Sequence, residues 1–437
     1  MNKEYKLNKT DIYIIFACFL IYLTWAIVIP YDHCPDEHMR YAVPQFIYKY
    51  GYLPHGGDER IIDTTWGFSY AFTPILSYII SAFFMRFTSL FTTSGNILLL
   101  SARMVSVLAS TGTVFFSIKI SKKIFPGMFR YIFVIGTALL PQFVFISSYV
   151  NNDAYGIFTV AWIIYALILA EEKNWNLKSC IFLGIGVGLC LLSYYNCYGI
   201  IPIAFIYAII SVYKNEKIEH KGKIIASRTI VVLVLAFLVA GWWFVRNAII
   251  YDGDFLGLEA CEKCAEKYAV FEFKPSQRTT IKSLNLPFRE LLSIYCFWAR
   301  TTYESFIGNF DYMTLPLPTI YYMMFFVIII LSFVGMIVLL KSKTQKKDLL
   351  FDSSMAAMCI LTVALNVSYS YFSDFQPQGR YCMPMLISLN VLLVRGWSGF
   401  FKKENKKAEI IMIISLVFVY TITIIESIDG VLIPAYL

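Results

Sequence analysis

The residues best suited to chemistry follow directly after the first apolar run of the chain. Nine residues there hold three acids, two histidines and an arginine, in the order Asp32, His33, Asp36, Glu37, His38 and Arg40. Pro35 suits the first turn of a helix, where the helix dipole stabilises acids. Capping accounts for one acid but not for the histidines beside it. The alternative is a reaction in which a carboxylate at a membrane-facing cleft takes a proton from an acceptor hydroxyl.

A second polar site, Asn151–Asn152–Asp153, precedes another apolar run. Two interpretations stay open here. Asp153 caps the following helix, or its carboxylate faces the first acidic cluster and orients an acceptor or binds a metal. Oxygen ligands of this kind suit Mg²⁺ or Mn²⁺, in which case Asp36 and Asp153 are the metal ligands.

Two arginines stand at the outer ends of apolar runs whose short connections are otherwise poor in basic residues. Arg246 is followed by Asn247, and Arg380 lies in Gln378–Gly379–Arg380–Tyr381. An arginine at the membrane interface often has no binding role and only extends its charged end into water. A guanidinium group also binds phosphate oxygens in a two-pronged fashion, and phosphate at a membrane surface indicates a lipid phosphate.

Ten cysteines are scattered along the chain, and most lie in apolar runs where they act as small hydrophobic residues. Cys261 and Cys264 form a lone CxxC pair in a predicted exported loop. We expect a local disulfide there rather than a zinc site.

The composition then limits which elements can position these residues. Of 437 residues, 58% are hydrophobic and 15% are charged. This composition excludes a soluble enzyme, a nucleic-acid-binding protein and a disordered chain. The net charge of +8 reports membrane topology rather than a nucleic-acid partner, because basic residues collect in cytoplasmic loops.

Twelve apolar runs are long enough to be considered as spans, and 23 of the 37 basic residues fall in six short clusters between them. All six clusters lie on the cytoplasmic side only if one run fails to cross the bilayer. The run at 68–92 is the weakest candidate because it contains Pro74, Arg86 and many hydroxyl residues. We expect it to lie in the outer interface or to re-enter the membrane from it, which leaves about eleven spans with a cytoplasmic N-terminus. Residues 1–437 then form one membrane domain with large exported loops at 31–95 and 247–317.

Several of these motifs together resemble the GT-C class of membrane glycosyltransferases, and more narrowly the bacterial family catalogued as domain of unknown function 2142. The first part of the resemblance lies in Pro35–Asp36–Glu37–His38, Phe72–Thr73–Pro74, Ala102–Arg103, Leu140–Pro141 and Asn151–Asn152–Asp153. It continues in 243–247, in Tyr251–Asp252–Gly253–Asp254, and in Gln378–Gly379–Arg380–Tyr381 with Pro384. The resemblance covers about 12 to 400.

The resemblance implies an all-α GT-C fold with juxtamembrane helices in the first exported loop. It also implies inverting transfer of a sugar from a polyprenyl-phosphate donor to a cell-envelope glycan, lipid or polymer outside the plasma membrane. The expected catalytic acids are Asp36, as general base or as the acid that orients the acceptor, and Glu37, which assists it or holds a divalent metal. Asp153, Asn152 and His38 would serve the acceptor or a metal, and Arg246, Asn247 and Arg380 the donor phosphate. A glycan polymerase or ligase and a flippase or transporter without chemistry are the alternatives.

Overall fold

The computed structural model describes residues 6–293, 297–341, 349–400 and 406–436. In this part of the chain the structure is almost entirely α-helical. The only sheet found there is a two-stranded antiparallel hairpin of β1 (Asn309–Phe310) and β2 (Leu315–Pro316), in which Phe310 pairs with Leu315. The expected all-α class is therefore confirmed.

The helices follow in chain order and account for the apolar runs of the sequence. The first nine are α1 (Lys9–Val28), α2 (Glu37–Tyr50), α3 (Leu76–Thr88), α4 (Gly95–Ile124), α5 (Phe129–Ala138), α6 (Pro141–Ile146), α7 (Asp153–Glu172), α8 (Leu177–Leu191) and α9 (Ile200–Lys214). The rest are α10 (Lys221–Ile250), α11 (Leu258–Tyr268), α12 (Phe288–Leu291), α13 (Trp298–Gly308), α14 (Thr319–Lys341), α15 (Leu349–Phe372), α16 (Leu386–Ser398), α17 (Lys406–Ile425) and α18 (Ile433–Tyr436).

Eight helical segments of the described chain are long and apolar enough to cross a membrane. They are Lys9–Val28, Gly95–Ile124, Asp153–Glu172, Tyr195–Lys214, Lys221–Ile250, Thr319–Lys341, Leu349–Phe372 and Ile410–Tyr436. Three of the eleven expected spans have a different form. The run at 130–150 divides into α5 and α6 before Pro141, the run at 381–399 begins as a 3₁₀ segment, Gly379–Met385, that contains Pro384, and α8 has only 15 residues. Proline removes a backbone donor and interrupts a helix. Because these three runs do not form single long helices, the number of spans stays a prediction.

The segment expected to lie in the outer interface forms α3, which has 13 residues. A helix of that length measures about 20 Å. The hydrocarbon core of a bilayer is about 30 Å thick. The interfacial position of α3 therefore remains a prediction that its length favours.

Polar caps and prolines fix where the helices around the first exported loop begin and end. A reciprocal cap between Asn8 and Asp11 starts α1, and the helix stops just before Pro30. Gly51, with φ at 80°, ends α2 in the left-handed conformation that glycine adopts without strain. The long helix α4 packs against α1, α3, α5 and α7, so it connects the first loop to the core of the bundle.

Candidate active site

Asp36 lies between α1 and α2 in the left-handed backbone region, with φ at 64°. This conformation is uncommon for a residue other than glycine and clusters at turns and functional sites. Its Oδ2 atom accepts hydrogen bonds from Arg380 Nη2 at 2.8 Å and from the Tyr70 hydroxyl at 2.9 Å. Among the described residues, every hydrogen bond and ion pair of this carboxylate falls on Oδ2, and 22% of the side chain is exposed. Oδ1 is therefore the oxygen of this carboxylate that has no hydrogen-bond partner among the described residues.

The surroundings keep Asp36 ionised. Burial alone would raise the pKa of this carboxyl group, but the positive charges of Arg380 and Arg40 and the hydrogen bonds from Arg380 and Tyr70 outweigh it and lower the pKa to about 2. A carboxylate with so low a pKa is always charged near neutral pH. It accepts a hydrogen bond from a hydroxyl group but is a weak base while both arginines face it.

Arg40 lies one helical turn after Asp36 and is completely buried. Its Nη1 atom donates to Asn152 Oδ1 at 2.7 Å and to Asp153 Oδ2 at 3.1 Å. Its Nη2 atom is 3.8 Å from Asp36 Oδ2, which is an ion pair but too long for a hydrogen bond. One buried guanidinium group thus joins the two acidic sites, although they are more than a hundred residues apart in the sequence.

Unpaired donors surround this arrangement. In the part of the chain that the structure describes, the buried atoms without a hydrogen-bond partner include Arg40 Nε, Arg40 Nη2, Arg380 Nε and the Tyr149 hydroxyl. Tyr78 interacts electrostatically with Arg40, and Tyr149 with Arg380. A buried donor without a partner costs about 1–3 kcal/mol, so these donors are available to a polar ligand. Nε and Nη2 of one arginine form the edge that grips two oxygens of a phosphate.

Asp153 does not cap α7. That role belongs to Asn151, whose Oδ1 accepts a hydrogen bond from the Ala154 amide at 2.8 Å. Asp153 is 4% exposed and Asn152 is fully buried, and both face Arg40. Of the two interpretations of this motif, the structure therefore favours a carboxylate that faces the first acidic cluster.

Glu37 differs from its neighbour Asp36 because both of its oxygens are occupied and the side chain is fully buried. Arg103 on α4 donates to Oε1 at 2.8 Å and to Oε2 at 2.6 Å, and the Val150 amide donates to Oε1 at 3.0 Å. The same guanidinium group donates to the carbonyl oxygens of Ala26, Ile29 and Pro30 at the end of α1. This geometry fits a residue that positions the first loop better than one that meets a substrate.

His38 lies between two carboxylates. Its Nδ1 is 2.7 Å from Asp32 Oδ1 and its Nε2 is 3.0 Å from Asp63 Oδ2, while the Tyr312 hydroxyl donates to the same Asp32 oxygen at 2.8 Å. Partial burial disfavours the charged ring, but the hydrogen bonds to Asp32 and Asp63 outweigh burial and raise the pKa of His38. Both ring nitrogens then donate, so neither presents a lone pair to a metal.

Arg246 and Asn247 belong to a different group of contacts. Arg246 donates to the Pro54 carbonyl at 2.6 Å and to Asn247 Oδ1 at 3.2 Å, and it stacks over the Trp243 ring at 5.1 Å. Among the described contacts, Arg246 and Arg380 share no hydrogen-bond partner. The Asn247 Nδ2 atom is buried and unpaired.

The residues expected to bind a metal do not suit one in this arrangement. Within the described residues no group of three or more His, Cys, Asp or Glu side chains could hold an ion. Arg40 contacts both Asp36 and Asp153, so a divalent cation between those carboxylates would meet a guanidinium charge. The set offers two carboxylates and two arginines where Mg²⁺ prefers several oxygen ligands.

The expected disulfide does not form. Cys261 and Cys264 are free, and both lie on α11. Residues three apart on a helix have Cβ atoms about 5–6 Å apart. A disulfide needs about 3.5–4.5 Å.

Comparisons with known proteins place the chain in a family. Residues 42–389, most of the chain, match the model of the family described as "Predicted membrane protein (DUF2142)". No curated protein matches the sequence.

The chain is similar to several solved structures. One is the archaeal oligosaccharyltransferase AglB from Archaeoglobus fulgidus in complex with an inhibitory peptide and a dolichol-phosphate, at 13% identity over 95% of this chain and 55% of that chain, with a TM-score of 0.54. An Archaeoglobus fulgidus oligosaccharyltransferase in complex with Zn and sulfate gives 12% identity, 94% and 52% coverage and a TM-score of 0.56. ArnT from Cupriavidus metallidurans bound to undecaprenyl phosphate gives 10% identity, 88% and 59% coverage and a TM-score of 0.49.

The chain spans little more than half the length of these proteins. At such identities the similarity to the two oligosaccharyltransferase structures shows the fold alone. That fold agrees with the GT-C architecture expected from the sequence motifs. The chain therefore belongs to the DUF2142 family of membrane proteins and has the GT-C fold.

Proposed function

We propose that this protein is a glycosyltransferase that moves a sugar from a polyprenyl-phosphate donor to an acceptor glycan, lipid or polymer on the outer face of the plasma membrane. The observation that carries the proposal is the pairing of a partly exposed carboxylate, Asp36, with two buried arginines whose donors are incompletely used. A fold shared with an oligosaccharyltransferase solved with a dolichol-phosphate supports a lipid-linked donor.

In the proposed reaction the acceptor oxygen attacks the anomeric carbon of the donor sugar while the bond from that carbon to the phosphate oxygen breaks. The hydroxyl proton passes to Asp36 Oδ1, and the electrons of the broken bond remain on the phosphate oxygen. Arg380 and Arg40 stabilise the charge that develops there, in a buried site where such stabilisation is large. A single displacement inverts the anomeric carbon.

The other expected site residues take supporting roles in this proposal. Asn152 and Asp153 hold the Nη1 edge of Arg40, so its other edge faces the donor. Glu37 positions the first exported loop, and His38 holds the same loop in place beside the site that binds the acceptor in this proposal. Arg246 and Asn247 remain predicted ligands of the donor phosphate.

We also propose that the reaction does not depend on Mg²⁺ or Mn²⁺ at Asp36 and Asp153, because Arg40 already bridges these acids. A chelator such as EDTA should leave the rate of sugar transfer unchanged. Loss of transfer in EDTA with recovery in Mn²⁺ would restore the metal to this site.

A second candidate is transfer of a whole glycan, as by a ligase or polymerase, and the similarity to oligosaccharyltransferases favours it as the alternative. The donor discriminates between the two. Transfer from a monophosphate-linked single sugar supports our proposal, whereas transfer only from a pyrophosphate-linked glycan supports the alternative.

The decisive variant is Asp36→Asn in purified protein supplied with a polyprenyl-phosphate sugar. Loss of a general base is worth about 10²–10⁴-fold in rate, and we expect a loss of that size without loss of folding or donor binding. Asp58→Asn is the matched control, because Asp58 is an acid of the same exported loop that pairs only with Arg60 among the described ion pairs. Near-normal transfer by Asp36→Asn would move the assignment to Glu37 or Asp153.

A further inference from the structure

We infer that the donor phosphate and the Asp36 carboxylate compete for the same two guanidinium groups, so that binding of the donor releases Asp36 for the acceptor. This inference rests on the proposed function, since it requires a lipid phosphate at Arg40 and Arg380. It adds an order of events, in which the donor binds before the acceptor hydroxyl is activated.

The geometry of Arg40 carries the first step. Its Nη1 edge is filled by Asn152 and Asp153, and the Nε and Nη2 donors are buried and unpaired. A phosphate gripped at that free edge would stand next to Nη2, which is itself 3.8 Å from Asp36 Oδ2. The phosphate would therefore enter the space that the Asp36 carboxylate now faces.

Arg380 gives the same result at the same carboxylate oxygen. Its Nη2 donates to Asp36 Oδ2 at 2.8 Å and its Nε is buried without a partner. A phosphate oxygen on Nε would draw the guanidinium group towards itself. Two anions on one guanidinium group share its donors, so the bond to Asp36 weakens as the bond to phosphate forms.

The charges lead to the same conclusion. Asp36 and Asp153 face Arg40 and Arg380, so two acids already balance two arginines before any donor binds. Tyr70, Tyr78, Tyr312 and Tyr381 are the other titratable groups that interact with Asp36, and all are neutral near pH 7. An added phosphate gives the site excess negative charge. The repulsion acts mainly on Asp36, because this acid has a partly exposed side chain.

The consequence is a site that is inactive without its donor. While both arginines hold Asp36, the carboxylate binds protons weakly. Once phosphate shares the arginines, the carboxylate is freer to turn to the acceptor and is more basic. Transfer then proceeds only when donor and acceptor are both in place.

The test measures the affinity of full-length protein for a short-chain polyprenyl phosphate in phosphatidylcholine nanodiscs, without any sugar or turnover. Asp36→Asn removes the competing charge and should increase the affinity for the polyprenyl phosphate about tenfold. This is the effect expected when one like charge beside an anion is removed. Asp58→Asn should leave the affinity unchanged, because that charge lies on Arg60.

Each other outcome has a distinct meaning. Equal or weaker binding by Asp36→Asn, with the variant folded, overturns the inference but leaves the proposed function standing. Equal tightening by Asp58→Asn shows a general charge effect and also overturns it. Absence of binding to both wild-type protein and Asp36→Asn removes the lipid phosphate from this site and so overturns the proposed function itself.

Discussion

The shape of a charged side chain matters as much as its charge at a phosphate site, and Arg380 allows this to be tested at the level of one residue. Its guanidinium group is 6% exposed and reaches Asp36, the Pro35 carbonyl and the Tyr381 hydroxyl at once. Lysine keeps the charge but cannot offer donors in a fixed fork.

Arg380→Lys should therefore lower the rate of transfer or the affinity for donor. Loss of one charge-assisted contact costs about 1.5–3 kcal/mol, or about tenfold and more. The measurement is kcat and KM for a polyprenyl-phosphate sugar, with thermal unfolding as the control for folding. Arg246→Lys in parallel tests the other predicted phosphate ligand, and unchanged kinetics in both variants would show that neither arginine binds the donor phosphate.

Glu37 makes a different prediction because its partners belong to the scaffold. Removal of one member of a buried ion pair costs about 3–5 kcal/mol. We expect Glu37→Gln to lower the unfolding temperature clearly, since Arg103 then stays buried with part of its charge uncompensated. Glu59→Gln, at an exposed position of the same loop, is the control. A variant with normal unfolding and a large loss of kcat would instead return Glu37 to the catalytic acids.

At the scale of elements, the sequence predicts which segments of the chain meet at the site, but it does not predict which side chains pair there. Asp36, Asp153 and Arg380 were all selected from short local patterns, and the structure brings them together around Arg40. Arg40 belongs to the acidic motif, but the sequence does not show its role, although it follows Asp36 by four residues and lies in the first turn of α2. Its partners Asn152 and Asp153 lie on a distant helix, and a single sequence contains no signal for that pairing.

The tyrosines of the site show the same limit. Tyr70 and Tyr149 resemble many other tyrosines of this chain, which has 31. Only the folded positions of their hydroxyls, one on Asp36 and one buried without a partner, distinguish them. The sequence also does not show that hydrogen bonds occupy both oxygens of Glu37, because its partner Arg103 lies on α4.

The link between α2 and the rest of the first exported loop should depend on pH through His38. Its pKa is raised in the folded protein by Asp32 and Asp63, so the folded state holds this proton more tightly than the unfolded state. The stabilisation is fully present below the ordinary pKa of about 6.5 and is lost as the pH rises through the higher folded value.

Thermal unfolding measured between pH 5 and pH 9 should therefore show a component that declines above neutral pH and that disappears in His38→Gln. His55 gives a contrasting control, because burial and the charge of Arg246 lower its pKa. Its contribution is lost as the pH falls, so His55→Gln should remove a component of the opposite slope. An unfolding profile that is identical in His38→Gln and wild-type protein would contradict the proposed pairing with two carboxylates.

At the scale of the whole molecule, composition and charge predicted the class of architecture but not its details. The hydrophobic fraction and the family resemblance led to an all-α GT-C protein, and the observed fold agrees. The count of spans was less accessible, because apolar runs do not show where a helix breaks. Pro141 and Pro384 divide two of the expected spans, and hydropathy averages over such breaks.

Orientation in the membrane is the last prediction, and it depends on the placement of α3. If residues 64–95 stay on the outer side, Thr64→Cys and Thr93→Cys, at exposed positions on either side of α3, are both labelled from outside by a membrane-impermeant maleimide. Met128→Cys, 43% exposed between α4 and α5, should be labelled only after permeabilisation, because Lys122, Lys123 and Arg130 surround it and basic loops stay inside. The experiment uses a background in which Cys34, Cys261, Cys264 and Cys296 are serine, since all four lie in the two large loops expected outside. Labelling of Thr64→Cys and Thr93→Cys from opposite sides would make α3 a span, and the eleven-span topology with its cytoplasmic N-terminus would fail with it.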